Sequence, residues 1–149
     1  MDTIDWKNIN VAYEAIKHSP GCIYWKDGQG YYKGCNLNVA VLAGESDPKE
    51  LLNKKDDSLP WRKRAEEIRA VDMYVMQNDK EICFREEMPL PEGGTVIYQT
   101  IKRALKVDDK IVGVVGYAVD ITAQEAEADF NEDFSKDLKR ILNLNKRDT

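Results

Sequence analysis

The sequence predicts an α+β domain: a five-stranded antiparallel sheet with helices over one face, and a further helix at each end of the chain. Three observations predict it. Runs of β-type residues come first as a pair and then as a triplet, each set joined by short turns. Between the sets, apolar residues recur at intervals of three and four, the period of a helix. The two ends show the same helical period, outside the stretch that holds the strands.

Taken in order, Trp6, Ile9, Tyr13 and Ile16 mark one helix face between Trp6 and Lys17, and Ser19-Pro20-Gly21 stops that helix. Cys22 to Asp27 and Tyr31 to Cys35 read as a hairpin around Gly28-Gln29-Gly30, where glycine admits the positive φ of a tight turn. Asn36 leads into an apolar helix, Leu37 to Leu42, which Gly44 closes. Residues 45–60 are charged, polar and proline-containing, a loop with a helical turn or two. The main helix is expected from Pro60 to Asn78, with Ala65, Ile68, Val71, Val75 and Met76 on its apolar face and Pro60 at or near its first turn. Three strands follow, Glu81 to Met88, Thr95 to Lys106 and Lys110 to Asp120, separated by Pro91-Glu92-Gly93-Gly94 and Val107-Asp108-Asp109. Thr122 and Glu125 have capping-box spacing and open a last helix, with Phe130 and Phe134 in its apolar stripe and basic residues at its end. The units are an N-terminal amphipathic helix over 1–19, a domain over 20–122 and a C-terminal helix over 123–149.

Composition narrows the partners. The net charge is -5, with no basic stripe interleaved with aromatics, so neither nucleic acid nor an anionic membrane is an expected partner. No apolar run approaches the roughly 18 residues that span a bilayer, and the acidic N-terminus is unlike an export signal. Three cysteines without a CxxC give no disulfide framework and no zinc site, and suit a reducing, cytoplasmic setting.

From Pro20 to Thr122 the chain resembles a PAS domain of the bacterial sensory-box kind that often precedes a histidine kinase. The resemblance lies in Ile23-Tyr24-Trp25-Lys26-Asp27, in Gly34-Cys35-Asn36 with Ala40 and Gly44, and in Leu52 to Trp61, where Asn53 and Lys55 replace the family's glycine and threonine. Val112-Gly113-Val114-Val115-Gly116 and Asp120-Ile121-Thr122 carry it further. It implies the PAS fold, a five-stranded antiparallel sheet with helices over one face, enclosing a pocket that holds a ligand in some relatives and side chains in others. Trp61, Val75, Met76, Tyr98 and Val114 sit on the elements that line the family pocket, and a small organic ligand would meet them there. Asp120-Ile121-Thr122 would pass the state of the pocket to the C-terminal helix. Trp6, Ile9, Tyr13, Ile16, Phe130 and Phe134 would form a homodimer interface or pack on their own domain. The effector would lie in cis or in trans, as in a two-component system.

The cofactor is unknown from sequence. Covalent flavin photochemistry needs an Asn-Cys-Arg helix motif, whereas the order here is Cys35-Asn36 at a strand end. His-ligated haem is not expected either, because the single histidine, His18, lies at the end of the first helix. With Lys26 opposite Tyr31, Cys22 would stand opposite Cys35, as a redox pair or as two packed thiols. No catalytic constellation is expected: Asp56-Asp57 and Glu86-Glu87 read as solvated charge, and neither glycine pair opens a helix as a phosphate loop would. Two readings of function stay open, a sensory and dimerisation module, and a structural homodimerisation domain with a packed core.

Overall fold

A computed structural model describes residues 14–123. Its strands are β1 (Cys22–Asp27), β2 (Tyr32–Cys35), β3 (Ile82–Pro89), β4 (Thr95–Val107) and β5 (Lys110–Asp120). They form one antiparallel sheet in the order β2-β1-β5-β4-β3. The two hairpin sets therefore join through β1 and β5, which lie at opposite ends of the described chain.

Helix α1 (Leu37–Leu42) and helix α2 (Ala65–Asn78) flank a connection that holds three short 3-10 turns. Asn36 starts α1 with every polar atom of its side chain engaged. Its Oδ1 accepts from Ile23 N–H and Val39 N–H, and its Nδ2 donates to the Ser19 and Gly21 carbonyls. One buried amide thus caps the helix and ties it to the start of β1.

The main helix begins later than the apolar pattern implies. A 3-10 turn over Arg62–Arg64 precedes Ala65, so Pro60 stands outside the α-helix proper. Its buried residues are Ile68, Asp72 and Val75, which places a carboxylate in the middle of the apolar stripe. Asp79, in the left-handed conformation at φ 49°, ends it.

The first hairpin also differs from expectation. Asp27 folds its side chain over the turn and accepts from the Gln29 and Tyr31 amides, which keeps Tyr31 out of β2. A β-bulge between Trp25 and Lys26 then shifts the register, so that Cys35 faces Tyr24 and Lys26 faces Tyr32. Cys22 and Cys35 are not opposed, and all three cysteines are free thiols.

Residues 14–16 and 122–123 are helical. Ile16 is half-buried, and Trp6, Ile9, Tyr13, Phe130 and Phe134 lie outside the described residues. No described helix is long and apolar enough to cross a membrane.

Candidate functional site

Strand parity decides what faces the helices. Cys22, Tyr24 and Lys26 on β1 share a face with Tyr98, Thr100 and Lys102 on β4, because Tyr24 and Lys102 both pair with Gly116 of β5. A lysine therefore points inward on each strand, at 0% exposure for Lys26 and 2% for Lys102. Burial of an ammonium group requires a partner. Asp72 of α2 supplies it, with Oδ2 2.6 Å from Lys26 Nζ and Oδ1 2.9 Å from Lys102 Nζ. Asp56 adds a contact of 2.9 Å to Lys26 and accepts from the Tyr32 hydroxyl at 2.6 Å and from Trp61 Nε1 at 2.8 Å.

These five side chains and Asp72 connect β1, β2, β4, α2 and the connection between the helices. Burial pushes the Asp56 carboxyl up, but Lys26, Tyr32 and Trp61 outweigh it and hold the group below its ordinary value. Burial pushes the Tyr24 and Tyr32 phenols far above theirs, so both stay neutral. Beside this network Glu86 accepts from Thr100 at 2.8 Å and pairs with Arg64 at 3.1 Å. Asp56 is thus buried and Glu86 half-buried, and both are partnered, contrary to the solvated charge expected of them.

The groups surround a small cavity of about 40 Å³. Its wall combines Lys26, Lys102, Asp56 and Glu86 with Tyr24, Tyr32, Trp61, Ile68, Met88 and Tyr98. Space for Tyr24 exists because residue 116 is glycine: a Cβ there would lie 2.2 Å from the phenol ring. A groove of about 440 Å³ adjoins the cavity, sharing Cys22, Leu42 and Tyr98 with it, and reaches Val119 and Asp120 at the end of β5.

Of the pocket residues expected from sequence, Trp61 and Tyr98 line the cavity. Val75 and Val114 are buried and Met76 is half-buried, but none of the three is in the lining. Lys26, Asp56, Asp72 and Lys102 were missed. The available signal was a lysine at the core-facing parity of two strands and an aspartate between Ile68 and Val75 on one helix face.

The Asp120-Ile121-Thr122 junction is fastened to β4. Ile121 N–H donates to the Ile97 carbonyl at 2.8 Å, and the Thr122 hydroxyl accepts from Ile97 N–H at 2.9 Å. Asp120 accepts from Thr122 N–H and pairs directly with Tyr98, the neighbour of Ile97 and part of the cavity wall. The thiols have a different environment from that of a reactive pair. Burial pushes Cys35 up to about 12, and it raises Cys22, which donates to the Tyr98 hydroxyl at 3.6 Å. His18 is exposed.

The family model described as PAS fold matches residues 16–126. A comparison with curated protein sequences finds no match. Among solved structures, VqmA of Vibrio cholera in a complex with ligand and DNA is similar at 20% identity and a TM-score of 0.69, covering 80% of this chain and 53% of that one. A phage VqmA–DPO complex is similar at 16% identity and a TM-score of 0.71, over 84% of this chain and 58% of that one. The PAS domain of BvgS from Bordetella pertussis is similar at 17% identity and a TM-score of 0.67, over 88% and 98%. The chain spans little more than half the length of the VqmA structures. The first of them corrects the exclusion of nucleic acid: a protein that shares this fold is seen in complex with DNA. Net charge describes the surface of one domain, and does not limit what a protein carrying that domain binds.

Proposed function

The chain belongs to the PAS fold family, and on that premise we propose that it is a sensory and dimerisation module of a bacterial signal-transduction protein. The state of its cavity passes through Asp120-Ile121-Thr122 to the helix that follows, and so to an effector in cis or in trans. One observation carries this reading. Tyr98 lines the cavity and stands opposite Asp120, while the adjacent Ile97 is bonded to both Ile121 and Thr122. A shift of β4 at the cavity wall therefore displaces the first residues of the exit helix, which is a two-state element that a ligand can bias. We read the module as non-catalytic, because each charged group at the cavity is held by an opposite charge. Its three free thiols suit a cytoplasmic setting.

The small cavity volume favours one rival, a homodimerisation domain with a packed core. Hydrogen–deuterium exchange separates the two. Met88→Trp fills the cavity, and the relay reading expects a several-fold change in exchange at Ile97 and Ile121. Altered exchange around the cavity with an unchanged junction would sink the relay and leave the packed-core domain.

A further inference from the structure

The polar groups around the cavity balance as charges but not as hydrogen bonds. Lys26 gives two of its three N–H groups to Asp56 and Asp72, and Lys102 gives one of its three to Asp72. One N–H of Lys26 and two of Lys102 therefore have no oxygen, nitrogen or sulfur acceptor among the described residues, although both side chains are buried in the cavity wall. Their ammonium groups face only the weaker rings of Tyr24 and Tyr32 for Lys26, and of Tyr24 and Phe84 for Lys102. The carboxylate oxygens are already engaged: Asp56 by Lys26, Tyr32 and Trp61, Asp72 by both lysines, Glu86 by Thr100 and Arg64. Two lysines face two aspartates and Arg64 faces Glu86, so a ligand bearing net charge would be buried without a counter-charge. The rest of the wall, including Trp61, Ile68 and Met88, is apolar or aromatic, and a volume of about 40 Å³ admits few non-hydrogen atoms before side chains move.

We propose that this cavity binds a small uncharged hydrogen-bond acceptor, a carbonyl of the amide, lactam or ketone type. Its oxygen takes the unclaimed N–H groups of Lys102, and its apolar body packs against Trp61 and Met88. The proposal rests on the sensory reading above and supplies the ligand class for it.

The test is a titration of the full chain followed by ¹H–¹⁵N NMR, with 2-pyrrolidone as the neutral carbonyl probe. Isobutyrate serves as an anion of similar size and pyrrolidine as a cation. Saturable shifts along β4 with 2-pyrrolidone alone are expected, with affinity falling about tenfold or more in Lys102→Met, as loss of a charge-assisted hydrogen bond implies. Met88→Trp, which keeps Lys102 and its ion pair, is expected to abolish the shifts while leaving the spectrum dispersed. Preference for isobutyrate or pyrrolidine would overturn the uncharged class. Absence of saturable shifts with all three probes would overturn the ligand site. Neither result touches the relay, which the exchange experiment tests without added ligand.

Discussion

Asp72 is the residue on which the interior depends most. It sits between Ile68 and Val75 on α2 and faces two lysines that have only one other aspartate between them. Breaking a buried ion pair from one side leaves charge uncompensated, at a cost of about 3–5 kcal/mol. Asp72→Asn is therefore expected to lower stability by that order, read as a fall in the urea midpoint at unchanged slope. Asp56 adds a pH dependence. Its carboxyl is held below the ordinary value in the fold, so its stabilisation is complete above the unfolded-state value and is lost as pH falls through the folded one. Thermal midpoints are expected to stay level near neutrality and drop below about pH 4, less steeply in Asp56→Asn. A profile unchanged by that substitution would remove Asp56 from the account.

At the scale of elements, the exit from β5 is more than a change of secondary structure. The Thr122 hydroxyl accepts the Ile97 amide, so strand β4 and the start of the last helix share a hydrogen bond. Thr122→Val keeps the shape and removes the acceptor, at a cost of about 0.5–1.5 kcal/mol. The Ile97 amide is expected to exchange faster in that variant, with little change in strands β1 and β2. Equal protection in both proteins would mean that the bond contributes nothing in solution. The close pairing of β1 with β5 has its own demand: a Cβ at position 113 would lie 1.9 Å from the Lys26 carbonyl oxygen, backbone that cannot yield locally. Glycine at 113 thus fixes how near the two hairpin sets approach, and with it the position of Lys26.

For the whole molecule, the PAS fold explains why a chain with net charge -5 buries two lysines. The helices over one sheet face bring Asp56 and Asp72 to them, and the same arrangement leaves a cavity next to the strand that leads out. The homodimer remains our proposal, drawn from the apolar stripes Trp6, Ile9, Tyr13 and Ile16 at one end and Phe130 and Phe134 at the other. Sedimentation equilibrium of the full chain is expected to give twice the monomer mass, and Trp6→Asp with Phe130→Asp to shift it toward the monomer. A monomer at all concentrations would overturn dimerisation and leave the relay to act within one chain.

Local patterns determined much of this protein from the sequence alone. Period-2 runs, glycine-bearing turns and period-3.6 stripes placed α1, β1 and β5 at their observed ends and the other strands to within a residue, because each depends on neighbours close along the chain. The PAS resemblance rested on those same residues. Only the tertiary structure decided the rest. The Asp27 turn and a bulge between Trp25 and Lys26, neither of which periodicity announces, together placed Cys35 opposite Tyr24 instead of Cys22. The interior ion network was equally hidden, because Lys26, Asp56, Asp72 and Lys102 lie far apart in sequence and each reads singly as surface charge. A charge can be buried only where its partners arrive together, and that meeting is a property of how sheet and helices pack.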